Sequence, residues 1–531
     1  MGIEVDYIVV GAGSAGCVMA RRLAERNSIL LIEAGSKAWN WDFRLHMPAA
    51  LSEVLATDRY NWFYHSEPEP HLNQRRMYCP RGTALGGSSA INGMIFVRGN
   101  QFDYQRWAEN AGLAGWSYLD CLPFFKKSET VAGQDLDYRG DSGPLKITRG
   151  DVSNPLYQAW LTAGVEMGQD RTDDFNGVQQ EGFGLFDRTI YGGKRQSAAV
   201  AYLNGTKLSR QSQFETGVTI MTRTRVEDII FEQDRAVGVN FTHQGEEGQA
   251  RARKEVLLCG GAINSPQLLM LSGIGAADEL RSKAIDCQFE LPGVGQNLQD
   301  HLEVYVQYSL KKPVSLYPMS KWYRKPWVGL QWYLNQSGAA ASNHFHTGAF
   351  LRSGLDHGYP DLQFHFLPIA MDYDGKNQFQ GHGVQVHVGP MKPTSRGAVS
   401  LRSNNPGDPP RIQFNYHATE LDRSVMFRGI SKAREIMAQP AFSPFVDKEI
   451  RPGPSDLEAF VRQFAESAYH PSGTCRMGED DMAVVDEAGQ VRGVRGLRVV
   501  DASIMPEITN GNLNAVVIMM AEKISHEILN S

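Results

Sequence analysis

The residues able to do chemistry gather in three short stretches. QDHLEVYVQYSL, residues 299–310, alternates like a half-buried strand, yet it carries His301, Glu303 and Tyr305. A period of two puts His301, Glu303, Tyr305 and Gln307 on one face, and Leu302, Val304, Val306 and Tyr308 on the other. SAYHPSGTCRMG, residues 467–478, holds His470, which Pro471 biases toward extended backbone. A histidine so placed can take an alcohol proton near neutral pH. NGNLNAVV, residues 510–517, holds Asn512 just ahead of the last helix, where its amide can hydrogen-bond an oxygen. The residues alone leave other readings open. With 14 histidines in the chain, His470 can be a structural loop histidine, and Asn512 a helix N-cap. Glu303 can pair with an arginine, and Asp300 can simply bond His301.

A nucleotide site is legible at the amino end. DYIVVGAGSAGCVMARRLAERNSILLIEAG combines a buried strand, a GxGxxG turn at Gly11, Gly13 and Gly16, a helix, and a second strand ending at Glu33. Gly11 permits the tight turn, Gly13 lets backbone approach a pyrophosphate, and Gly16 allows close helix–strand packing. The helix N-terminus then faces the phosphates. Glu33, about 20 residues past the glycines, suits a ribose hydroxyl and disfavours a 2′-phosphate. Gly86-Gly87-Ser88-Ser89 is a second small-residue cluster, either an ordinary loop or backbone that meets the cofactor.

These pieces require a large frame. At 531 residues the chain exceeds one ordinary core, so two large domains are expected. A net charge of −6 gives no pull toward nucleic acid. No signal peptide or membrane span is evident, and the six scattered cysteines form no CxxC, which points to reduced cytosolic thiols rather than zinc or disulfides. Strands are expected at residues 256–259, 361–367 and 383–388, and helices at 423–438 and 515–529. A short helix should open at Ser265-Pro266. Strands gathered in the middle with few helices imply a mostly antiparallel substrate domain beside a Rossmann-like domain, an α/β plus α+β architecture. The expected boundaries are 1–155, 195–310 and 460–531 for the cofactor domain, and 156–194 with 311–459 for the substrate domain.

GAGSAG with Glu33, LGGSSAINGMI, GAINSPQLLMLSGIG, YHPSGTCRMG, and VVDASIMP followed by NGNLNA occur in that order. Together they resemble the glucose–methanol–choline (GMC) family of FAD-dependent alcohol oxidoreductases, from Asp6 to the last helix. One departure is Thr83, where the family usually has a basic residue. The resemblance implies FAD rather than NAD. It implies FAD contacts from Gly11, Gly13, Ser14, Ala15, Gly16, Glu33, Ala34, Gly86, Gly87, Ser88, Asn92, Gly93, Val226, Asp501, Ala502 and Asn512. Some members attach FAD through a histidine in the GGSS region; Ile91 stands there, so non-covalent FAD is expected. His470 and Asn512 match the catalytic positions, and no metal is implied.

NLQDHLEVYVQY and ASNHF are similar to the choline-oxidising members. That similarity implies Glu303 at the quaternary ammonium and His301 near the flavin. His365 and Tyr469 join them on the substrate side, although His365 also reads as an ordinary sheet histidine. The implied reaction takes choline to betaine aldehyde by hydride transfer to flavin N5, with glycine betaine as a further product open to the same site. A different primary alcohol, or an FAD-retaining hydroxynitrile lyase, is the alternative. The electron acceptor would be a respiratory quinone chain or oxygen. The implied location is cytoplasmic, with peripheral attachment to the inner membrane as an option.

Overall fold

The computed structural model describes residues 3–38, 41–133, 135–204, 217–355, 358–372 and 378–530. Apolar strand Ile3–Val10 runs parallel to Ser28–Glu33 on one side and to the long strand Glu246–Leu258 on the other. Gly217–Thr222 and Leu497–Val499 extend the parallel part. Thr224–Glu232, Arg235–His243 and the first half of 246–258 form an antiparallel meander on the same seven-stranded sheet. The expected strand at 256–259 is thus the end of a 13-residue strand that changes partner along its length.

The second seven-stranded sheet is antiparallel, in the order 446–451, 302–310, 383–390, 362–367, 347–351, 182–185, with Glu466–Ser467 added beside 302–303. The strand Leu302–Leu310 therefore bonds within the substrate-side sheet, although the sequence boundaries put it with the cofactor domain. It is also buried on both faces rather than one. Helix Glu420–Met437, capped by Thr419 and starting three residues earlier than expected, covers one face. Gly429 permits that contact, because a Cβ there would come within 2.9 Å of Val388 Cγ2 and 3.0 Å of Leu362 Cδ2. Val304 and Val388 pair on that covered face, as do Val306 and Val386. The opposite face carries Glu303, His365 and His387, which line the cavity described below.

Helix Gly261–Leu271 corrects one expectation: it starts at Gly261, so Pro266 lies inside it. Proline has no N–H for the carbonyl four residues back. That carbonyl, Ala262 O, accepts instead from Thr474 Oγ1 at 2.7 Å. Thr474 belongs to the YHPSGTC segment, so the defect in one helix ties down the loop that carries His470. Thr474→Val should leave the buried carbonyl unpaired at a cost of about 1–3 kcal/mol. This should read as a lowered melting temperature of the cofactor-loaded protein, whereas Thr474→Ser should melt near wild type.

Candidate active site

Strand register builds one wall of the site. Tyr305 pairs across with His387, and His387 with His365. Glu303 precedes Tyr305 by two residues and shares its face. All four are buried. The Tyr305 and His387 rings lie 4.0 Å apart, and His387 Nδ1 is 3.2 Å from Glu303 Oε1. The pairing of 466–467 with 302–303, and the bond from Ala468 N–H to His301 O at 2.8 Å, bring His470 beside His301.

Asp300 fixes that junction. Its Oδ1 accepts the backbone N–H of His301 at 2.9 Å and of His470 at 2.6 Å. Its Oδ2 accepts from Ser467 Oγ at 2.5 Å and from the Tyr416 hydroxyl. Burial pushes its carboxyl up to about 6 against these bonds. Next to it, Tyr469 has φ of 66°, a left-handed conformation costly for a bulky residue. Arg81 Nη2 holds its carbonyl at 2.7 Å and Ser467 Oγ holds its N–H at 2.8 Å.

The histidine tautomers follow from one backbone carbonyl. Met391 O can only accept, so His301 Nε2, 3.1 Å away, carries a proton. Burial lowers His301 to about 3, so the ring is neutral and its Nδ1 is an acceptor. His470 Nδ1, at 3.0 Å, must then donate to it. Burial first, then the neighbouring His301 ring and the Arg81 guanidinium, holds His470 well below the usual imidazole value. Its Nε2 is therefore a bare lone pair, which receives Asn512 Nδ2–H at 3.1 Å. Asn512 Oδ1 in turn accepts from Gln363 Nε2 at 3.2 Å. The chain of donors runs one way, from Gln363 to Met391.

A second chain fixes His387. Met371 N–H donates to Gln385 Oε1 at 2.8 Å, which turns the Gln385 amide nitrogen toward His387 Nε2 at 2.6 Å. His387 therefore carries its proton on Nδ1 and gives it to Glu303. A neutral imidazole suffices for that bond. Among the described residues no lysine or arginine pairs with Glu303; its one ion-pair contact is His387. Glu303, His365 and His387 also bring donor atoms within 4.8 Å of one another, a metal-like set. The proton on His387 Nδ1 occupies the position a metal would need, so the set suits an organic cation better. His365, lowered to about 4 chiefly by burial and with Asn512 beside it, has an Nε2 that meets no hydrogen-bond partner among the described residues.

A cavity of about 510 Å³ joins this wall to the glycine turn. Gly11, Gly13, Ser14, Ala15, Glu33, Ala34, Gly87, Ser88, Asn92, Gly93, Val226, Asp501 and Ala502 line it, with Glu303, His365, Tyr469, His470 and Asn512 at the substrate end. Three expected contacts lie behind the lining. Gly16 packs on Gly11 O, where a Cβ would come within 1.9 Å. Gly86 bonds Ala12 O through its N–H at 2.8 Å. His301 is shielded by His470. Tyr305 backs His387, and the aromatic ring exposed beside it is Phe345.

A dinucleotide fits the remainder. Gly87 comes so close to Gly13 that a Cβ would lie 2.7 Å from Gly13 Cα, while a Cβ on Gly13 would meet only Cys259 O, at 3.8 Å. Two helix N-termini meet there, joined by Ser14 Oγ to Asn514 Oδ1 at 2.7 Å, which favours a pyrophosphate. Glu33, raised to about 7 by burial, accepts Ala12 N–H and Gly35 N–H and keeps further lone pairs for a ribose hydroxyl. Sequence reasoning offered Asp300 only a bond to His301, which the structure contains, and did not single out Gln363, His387 or Phe345 for roles. For His387 the signal was present, a lone histidine amid valines in GVQVHV, but its strand partner was not visible.

Comparison with known proteins agrees with this geometry. Family models described as GMC oxidoreductase match residues 5–303 and 393–521. The chain is 52% identical over 534 aligned positions to an oxygen-dependent choline dehydrogenase of Burkholderia cenocepacia, covering 99% of this chain and 93% of that one. It is 51% identical to the protein of that name in Chromohalobacter salexigens, covering 99% and 95%. Among solved structures, pyridoxine 4-oxidase from Mesorbium loti superposes with a TM-score of 0.88 at 28% identity, covering 99% of both chains. An Aspergillus oryzae formate oxidase variant reaches 0.92 at 26%, covering 100% and 98%. No helix among the described residues is long and apolar enough to cross a membrane. With its paired nucleotide and histidine–asparagine ends in one cavity, the chain belongs to the GMC oxidoreductase family.

Proposed function

We propose that this protein oxidises choline to betaine aldehyde with non-covalently held FAD. The observation that carries the choline reading is Glu303: a buried carboxylate in the cavity wall whose one ion-pair contact among the described residues is a histidine that need not be charged. A trimethylammonium has no N–H to give, so a bare carboxylate and an aromatic face are what it needs. Phe345 supplies the face. Ile91, in the cavity lining, offers no nucleophile for a covalent flavin link. Relatives of half-identical sequence that carry the choline dehydrogenase name support the same substrate.

Bound FAD would supply two-electron oxidation of the alcohol carbon. The protein's part is to hold the substrate and move its proton. Glu303 and Phe345 hold the ammonium. The hydroxyl enters between His470 and Asn512, gives its proton to the His470 Nε2 lone pair, and receives the Asn512 N–H on its oxygen. That hydrogen bond stabilises the developing alkoxide. His301 keeps the His470 proton on Nδ1, so that Nε2 remains the base. Turnover in air without another acceptor would assign oxygen as acceptor, and turnover only with an artificial acceptor a quinone-linked chain. The finer placement we propose is peripheral, on a membrane surface.

Glu303→Gln should lower kcat/KM for choline about 100-fold. Two charges at roughly 4 Å and an effective dielectric of about 20 attract by about 4 kcal/mol, less desolvation. The uncharged isostere 3,3-dimethylbutan-1-ol should change by no more than about threefold. Equal wild-type turnover of both alcohols would sink the choline reading. His470→Gln should cost about 10²–10⁴ in kcat/KM. His301→Gln can still accept from His470 and donate to Met391. It should therefore outperform His301→Leu by about tenfold or more, the worth of one buried hydrogen bond. Anaerobic mixing with choline should bleach the flavin; a lyase would leave it oxidised.

A further inference from the structure

The segment before and within helix Lys325–Asn335, KWYRKPWVGLQWYLN, is built unlike the rest of the surface. Trp322 is 82% exposed, Trp327 72% and Tyr333 69%, with Tyr323, Leu330 and Leu334 also exposed. Trp327, Leu330 and Leu334 are spaced i, i+3, i+7 and share one face of the helix. Trp332, on the opposite face, is buried and donates its indole N–H to Gly193 O at 2.7 Å. The helix is thus pinned by its back and presents its apolar front to solvent. A water-soluble surface rarely leaves so large an apolar patch uncovered.

The charge around the patch says what covers it. Residues 311–338 contain Lys311, Lys312, Lys321, Arg324 and Lys325 and no acid, in a chain whose net charge is −6. Tryptophan and tyrosine rings with flanking lysine and arginine match the boundary between acyl chains and anionic headgroups, where rings bury and cations remain wet. Lys321, Arg324 and Lys325 sit in the same segment as the exposed rings, so a second copy docked face to face would bring like charges together. The patch also adjoins the site: Lys325 pairs with Glu53 at 3.2 Å, and Glu53 lies in the short helix Leu51–Leu55, whose two end residues line the cavity.

We propose that this aromatic–basic face docks the protein onto an anionic lipid bilayer. The inference rests on the peripheral placement proposed above and names the surface responsible. The test is co-sedimentation of the FAD-loaded protein with vesicles of phosphatidylglycerol and phosphatidylethanolamine, against phosphatidylcholine alone. Wild type should pellet with the anionic vesicles and be released by high salt. Trp322→Ser with Trp327→Ser should lower binding at least tenfold. Lys321→Gln, Arg324→Gln and Lys325→Gln together should remove the preference for anionic lipid. Choline turnover with a soluble artificial acceptor should be unchanged in both, which separates a failure of docking from a failure of the choline reading. Wild type that pellets with no vesicle overturns the proposal, as does equal binding by the tryptophan variant. A wild-type dimer in sedimentation that the tryptophan variant dissolves, without vesicle binding, also overturns it and makes the patch a self-interface.

Discussion

One buried carboxylate organises the site. Asp300 accepts four hydrogen bonds, and through them the start of the central substrate-side strand is locked to the carboxyl-terminal loop 467–470. Those segments are about 170 residues apart in sequence, and each delivers one histidine. A buried carboxylate with several donors is costly to disturb, because removing any partner leaves charge uncompensated in a low-dielectric interior. The left-handed Tyr469 is held by the same arrangement, with Ser467 bonding both Asp300 and the Tyr469 N–H. The position of His470 thus does not rest on the loop's own preferences.

From that junction the polar groups sort into two directed chains. One begins at Gln363 and ends at Met391 O; the other begins at Met371 N–H and ends at Glu303. Each is anchored by a backbone group whose donor or acceptor character cannot change. The anchors are what let neutral histidines keep definite tautomers in a buried site. The first chain leaves a lone pair on His470, and the second ends on the Glu303 carboxyl group. A base and a carboxyl group are held apart in one cavity by separate sets of partners.

How much of this could be read from sequence depends on whether the determinant is local. The glycine turn, its helix and Glu33 lie within one βαβ unit, so spacing alone placed them. The shared face of Glu303 and Tyr305 was legible because a strand's period is fixed. Partners across strands were not. His387 and His365 meet Tyr305 only through the register of three strands spread over some 80 residues, and no local pattern encodes that register. His301 was expected near the substrate, but its alternation could not show that His470 would stand in front of it. The helix start at Gly261 was missed because Pro266 reads as a first-turn proline. What makes it tolerable inside the helix is Thr474, more than 200 residues away.

The chain that ends at Met391 has a consequence for proton traffic. A peptide carbonyl cannot take up a proton and pass it on, so the histidine pair is a closed end and not a wire to solvent. On the proposed chemistry, a proton accepted at His470 Nε2 has no rear exit. It stays as an imidazolium beside the nucleotide until it leaves through the cavity. Product departure and proton release would then share one door, and the enzyme would reset its base only when that door opens.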